Sequence, residues 1–406
     1  MRNKFLKYLL AAGVAGSLGA PAAYSQDADT ILISSVFDVS GEQNISGRSM
    51  LDAINLAVKE LNDKGGVLGK KVEFTFYDSE NSQVKYMQYA NRIALNDKPA
   101  VTISGINSAS REAIRPIFGK NNILYFYPEL YEGGVCDRNM ISTNAVPSQT
   151  SAALVPWLVK KHDAKRVYIV GADYNFGRIS AAWGKKYAED AGAEVVGEQF
   201  VPLGSSNFKS IIDDIQEKKA DAVLSFTVGT TQAAFYRDFA AAGLSKTVPI
   251  ASTVFGLSDE HKILSHQESE GIAVAYNYLE SEDTPENAEF LKKWNEAGGR
   301  SITSTGIGSW YSVMLWAKAV EAAGSTDREK VIEAFEKGGI SVDGPAGVVT
   351  IDPATHHAIE DIVVGVVTSD GKFEVVSKEK GVKPAYEMEV CDLLKNPDTN
   401  KQFTPE

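Results

Sequence analysis

The stretch TILISSVFDVSGEQNISGRSMLDAINLAVKELNDKGGVLGKKVEFTFYDS, residues 30–79, decides the fold. Its opening run, TILISSVF, is apolar and ends in the turn DVSG. Met50, Leu51, Ile54, Leu56, Ala57, Val58 and Leu61 then recur at helical spacing until Gly65-Gly66 stops the pattern. KVEFTFYDS alternates as a strand does. Strand, helix and strand in succession are the building unit of a parallel sheet.

The same alternation continues outward. QVKYMQYANRIALNDK reads as helix, PAVTISG as strand, ASREAIRPIFGKNN as helix and ILYFYPE as strand. After a boundary near Thr143–Ser148 it starts again with SQTSAALVPWLVKKHDA and KRVYIVGADYNFG, and runs to TVPIAST. Two α/β units of similar size follow from this. Past them, Thr284 and Pro285 open a helix as N-cap and first helical residue. Two further helices lead to a hairpin with Asp370-Gly371 at its turn. These late elements have to return to one lobe or the other. The expected fold is therefore α/β: two doubly wound parallel-sheet lobes, a ligand cleft between them and three crossovers. The N-terminal lobe takes residues 26–145 plus about 279–345, and the C-terminal lobe 146–278 plus about 346–385. Residues 386–406 form a tail.

The length of 406 residues agrees with two cores, since single cores stop growing near ~250–300 residues. MRNKFLK, the apolar run YLLAAGVAGSLGA and small residues at Ala23 and Ser25 match a secretory signal peptide, residues 1–25, cleaved near Ser25. The apolar run is short for a membrane span. No cysteine stands at the cleavage point, so no lipoprotein anchor is expected. Cleavage removes Arg2, Lys4 and Lys7 and takes the formal charge from −12 to −15. Nucleic acid and anionic lipid need a basic footprint, which this chain lacks.

Catalytic motifs are absent. His162, His261, His266, His356 and His357 form no H-E-x-x-H site, and His356-His357 reads as a solvated pair. There is no G-x-S-x-G elbow and no P-loop. No enzyme activity, cofactor or metal is expected. Cys136 and Cys391 are the two cysteines: one bridge from the tail to residues near 136, or two free thiols.

In an open α/β sheet, ligands bind at the carboxyl ends of the strands. Here those ends supply Asn107, Ser108, Tyr127, Glu129, Tyr131, Tyr174 and Thr227, with the rings Phe37 and Phe176. These are rings and uncharged hydrogen-bonding groups, suited to a small polar ligand of little charge. Turn and cap residues have the same composition, so each position has a bland reading too. The densest stretch is YFYPELYEGGVCDRN, Tyr125–Asn139, whose crowded rings suggest the wall of a pocket.

GGVLGKKVEFTFYDSENS, Ser108 after the third strand, YPELYEG and VGTTQAAFYRD resemble the periplasmic binding proteins of branched-chain-amino-acid-type ABC transporters. GADYNF, VPLGSSNF, DAVLSFTVGTT and AYNYLESEDTP are similar to the branch that binds urea and short-chain amides. The resemblance covers nearly the whole mature chain. It implies a periplasmic, monomeric protein that encloses a small nitrogen compound and delivers it to permease subunits. It makes Ser108 a ligand-binding serine and places Tyr276 where urea binders tend to carry a tryptophan. Glu129 stands where they tend to carry a small or apolar residue, and could accept amide N–H groups or pair with a cation. Binding of an amino acid or small amine within the same family is the alternative; a ligand-sensing module is another, which would need a signalling segment.

Overall fold

The computed structural model describes residues 29–257 and 259–405, so the signal-peptide reading of residues 1–25 lies outside the described residues. The chain opens with β1 (Thr30–Phe37), β2 (Lys71–Asp78), β3 (Val101–Ile103), β4 (Tyr125–Tyr127), β5 (Val135–Asp137) and β6 (Met140–Ser142). A parallel sheet takes five of these, all but β5, in the order β2-β1-β3-β4-β6. β1 and β2 run in register from Thr30 opposite Lys71 to Phe37 opposite Asp78, so both end at one level.

The second lobe is built on β7 (Arg166–Ala172), β8 (Glu194–Val201), β9 (Ala222–Phe226), β10 (Ile250–Ser252) and β11 (Ala273–Tyr276). These are parallel in the order β8-β7-β9-β10-β11. The period of two along a strand sorts their side chains onto two faces. Tyr168, Val170, Val223, Val274 and Tyr276 join one apolar cluster. Their neighbours Val167, Ile169, Ala222, Leu224, Ala273 and Ala275 join the other. Both faces are covered, which is why the strands read as continuous apolar runs.

The last strands are β12 (Ser341–Gly344), β13 (Gly347–Ile351), β14 (Ala358–Val367), β15 (Phe373–Val382) and β16 (Asn400–Gln402). β14 pairs antiparallel with β11, β13 and β15, so this sheet is mixed. The first lobe's apolar cluster combines residues from Ile31 to Val146 with residues from Tyr278 to Ala358. The chain therefore passes between lobes after β6, after β11 and between β13 and β14. Asn144, Asn277, Ser304 and Glu360 tie these passages together. Asn144 Nδ2 donates to Pro128 O at 3.0 Å and to Ser304 O at 3.1 Å. Ser304 Oγ donates to Asn277 Oδ1 at 2.6 Å, and Asn277 Nδ2 to Glu360 Oε2 at 2.8 Å.

His356 and His357 are not a solvated pair; both are buried. They sit at the third passage, where His357 bridges to Ser142 at the end of β6. His357 Nε2 meets the Tyr131 hydroxyl. Burial pushes the His356 imidazole down to about 4, against the pull of Glu336.

The tail folds back onto the first lobe. Cys136 and Cys391 are joined in a disulfide, and β16 pairs antiparallel with β5. Glu387 accepts from Gly134 N at 2.9 Å and from Ser148 Oγ at 2.8 Å.

Candidate functional site

The strand ends of the two lobes face each other, and the helix N-termini that follow them supply unpaired backbone N–H groups there. In the first lobe the turn after β1 is organised by the buried Asp38, whose carboxylate accepts from Gly41 N at 2.5 Å and Gln43 N at 2.9 Å. The following helix, Asn44–Asp63, packs so closely on this turn that a Cβ at Gly47 would lie 1.6 Å from Asp38 O. Gln43 and Ser46 thereby reach the space between the lobes. Asn107 caps the helix Ser108–Lys120: its side chain accepts from Ser110 N at 2.8 Å and donates to Gln43 Oε1 at 2.8 Å. In the second lobe the helices Asn175–Asp190 and Thr230–Ala241 open toward the same space.

The lobes are closed on each other. Ser46 Oγ donates to Leu257 O at 2.6 Å, Thr230 Oγ1 to Glu42 Oε1 at 3.0 Å and Lys262 Nζ to Ser301 Oγ at 2.6 Å. A cavity of about 50 Å³ remains between them. Its polar lining comes from Gln43, Ser46, Asn107, Ser108, Glu129, Tyr174, Gln232 and Glu260. Its apolar lining comes from Ile106, Leu130, Phe176, Val228, Val254 and Leu257. Among the described residues that line it, none is Lys or Arg.

Burial shifts two of the lining groups. Burial pushes the Glu129 carboxyl well above its ordinary range, opposed only by the Leu130 N–H, which Oε1 accepts at 3.1 Å. A shift in this direction favours the protonated carboxyl, which can donate as well as accept. Burial, and then the Glu132 and Glu129 carboxyls, push the Tyr174 phenol up, so it too keeps its proton.

Of the residues singled out from sequence, this cavity brings together Asn107, Ser108, Glu129, Tyr174 and Phe176. Phe37, Tyr127, Tyr131, Thr227 and Tyr276 are not brought to it. Phe37 is buried against Phe76, with ring centroids 4.8 Å apart. The Thr227 hydroxyl bonds Ser225 Oγ at 2.9 Å. Tyr276 donates to Phe255 O at 2.7 Å and lines a neighbouring hollow of about 380 Å³, which shares Leu257 with the cavity. A larger hollow, about 1220 Å³, adjoins Thr30 and Ile123 at the opposite ends of the first sheet's strands, away from the space between the lobes.

The rings of Tyr125–Asn139 have a different task from walling a pocket. Tyr127 and Tyr131 pack on the guanidinium of Arg111, 5.4 and 4.4 Å from their centroids. Arg111 is fully buried and pairs with Glu132 at 2.8 Å. An interior cation needs a carboxylate and polarisable rings in place of water. Gln43, Ser46, Gln232 and Glu260 escaped the sequence reading. Each lies in or beside the segment following a strand end, a few residues past the turns that drew attention.

The periplasmic binding protein model matches residues 30–372. The chain belongs to the periplasmic binding protein family. This periplasmic binding protein is 25% identical over 393 residues to the Leu/Ile/Val-binding protein homolog 6 of Brucella melitensis, covering 93% of this chain and 98% of that one. It is 22% identical over 317 residues to the leucine-, isoleucine-, valine-, threonine- and alanine-binding protein of Pseudomonas aeruginosa, covering 77% of this chain and 84% of that one. Its fold is that of a solute-binding protein from R. palustris solved with 4-hydroxybenzoate, at a TM-score of 0.78 and 24% identity over 87% of this chain and 98% of the other. The periplasmic binding protein is a binding protein, not an enzyme. Among the described residues no cluster of three or more His, Cys, Asp or Glu is placed to hold a metal ion, and no helix is long and apolar enough to cross a membrane.

Proposed function

We propose that this protein is the exported solute-binding component of an ABC importer, and that it encloses urea or a short-chain amide between its lobes. The observation that carries the reading is the small hollow of about 50 Å³ between the lobes, whose described lining mixes polar and apolar side chains and holds no Lys or Arg. Drug-sized ligands occupy pockets of about 300–1,000 Å³, whereas a single water needs ~10–15 Å³ of cavity. That volume suits a solute of a few heavy atoms. A carboxylate-bearing solute would find no Lys or Arg in this lining to pair with. An amide presents N–H donors and one C=O acceptor. The neutral Glu129 carboxyl, the Tyr174 hydroxyl and the side-chain amides of Gln43 and Gln232 can answer both. Capture would end in closure, with the closed lobes presented to the permease in the membrane.

The pair of carboxyls also favours a second reading, a small amine that ionises Glu129 on binding. A thermal-shift screen of the mature protein separates the readings, because a solute that binds only the folded state raises the melting temperature with concentration. The panel is urea, formamide, acetamide, methylamine, alanine, leucine and 4-hydroxybenzoate. Shifts with urea or the amides support the proposal. Shifts with the amine alone select the second reading, and shifts only with leucine, alanine or the benzoate discard both.

A further inference from the structure

We infer that Glu132, which does not line the cavity, fixes the polarity of the Ser108 hydroxyl, and that the C-terminal strand shares in this through Gln402. The inference rests on Ser108 facing the solute, as proposed above. A serine hydroxyl has one hydrogen and two lone pairs. An ionised carboxylate only accepts. Ser108 Oγ is hydrogen-bonded to Glu132 Oε2, so the hydroxyl hydrogen is committed away from the solute. What Ser108 offers the cavity is lone pairs alone. It selects a solute N–H over a solute C=O.

Glu132 is held for this purpose from three directions. Arg111 Nη2 donates to its Oε1 at 2.8 Å and Gln402 Nε2 at 2.8 Å. Asn175 Nδ2 of the second lobe adds a longer contact at 3.4 Å. Burial acts to raise this carboxyl, but Arg111, then these hydrogen bonds, hold it below its ordinary range and ionised. Every other donor goes to Oε1, which leaves Oε2 to Ser108. Gln402 is far along the chain, yet its position is set by β16 pairing with β5 and by the Cys136–Cys391 bridge beside it. It also donates to Gly133 O at 2.9 Å. Gln402 and Glu132 are positioning residues: each acts through Ser108.

The test uses the full mature chain as wild type, Ser108→Ala, Glu132→Gln and Gln402→Leu. Proton NMR of the solute-free protein should show a slowly exchanging hydroxyl resonance shifted downfield. It should vanish in Ser108→Ala and in Glu132→Gln, and move upfield in Gln402→Leu. Calorimetry with urea should show affinity lowered about tenfold or more in Glu132→Gln and about threefold in Gln402→Leu. Absence of the resonance from the wild type, or its survival in Glu132→Gln, overturns the inference whether or not urea binds. Unchanged urea affinity in both variants overturns it as well. If the resonance behaves as stated but urea does not bind the wild type, the inference stands and the choice of solute falls. Should Glu132→Gln fail to fold with Arg111 unpaired, Gln402→Leu, which keeps the Arg111–Glu132 pair, carries both readouts.

Discussion

Ser108 and Glu129 are the residues on which recognition turns. Replacing Ser108 by Ala removes an acceptor from a closed site and leaves a solute N–H unpaired, which costs about 1–3 kcal/mol of binding. Titration calorimetry with the solute found in the screen checks this; equal affinities would place Ser108 outside the site. Glu129→Gln keeps an acceptor oxygen and offers N–H donors but cannot ionise. Amide affinity should stay within about threefold, while any affinity for methylamine should fall by about tenfold or more. Parallel loss of both would mean that Glu129 acts only through its shape. A third residue, Glu360, matters for stability. Burial holds its carboxyl up to about 8, helped by the Asp361 charge and opposed by the Asn277 hydrogen bond. In the unfolded chain the proton leaves near 4.5, the ordinary value. Between those two values the folded state binds more protons, so this contribution is complete below 4.5 and is lost as pH rises to about 8. Melting temperatures across that range should fall less steeply for Glu360→Gln than for wild type; parallel slopes would exonerate Glu360.

At the scale of elements, the tail is the segment whose role is least evident from its composition. β16 contributes three residues to a two-stranded ladder with β5, too little to hold a tail without further ties. The Cys136–Cys391 bridge spans 255 residues of chain and closes that loop. A Cys136→Ser, Cys391→Ser protein should lose about 2–5 kcal/mol of stability, read from denaturant unfolding. A loss under about 1 kcal/mol would show that Glu387 and the β16 pairing suffice. The helix Asn44–Asp63 illustrates a different economy. Its apolar stripe builds the core, while its first turn carries Ser46 into the cavity. One amphipathic segment serves stability and recognition from different turns.

At the scale of the whole molecule, closure depends on few direct ties between lobes. The Ser46–Leu257 bond is one of them and involves a single side chain. Ser46→Ala should leave each lobe intact and shift the solute-free equilibrium toward open forms. Small-angle scattering should report a larger radius of gyration without solute, converging with wild type when solute is saturating. Identical curves without solute would show that the passages at Asn144, Asn277 and Glu360 set the closed state alone.

The two-lobe architecture was legible because it follows from local periodicity. Residues 30–79 alternate between periods of two and 3.6, and the alternation restarts after Ser148. The candidate site was legible in part, through the rule that strand ends and helix N-termini face the ligand. That rule found Asn107, Ser108, Glu129, Tyr174 and Phe176, all of which reach the cavity. It could not tell Tyr127 and Tyr131 from pocket residues, because their partner Arg111 lies on another element and is drawn into the interior by Glu132. Nor could it foresee Gln402, whose contact with Glu132 crosses 270 residues of chain. Periodicity is a property of neighbours in sequence and can be read there. Which buried charge meets which carboxylate is settled by the packing of distant segments, where desolvation makes each unpaired group too costly to leave.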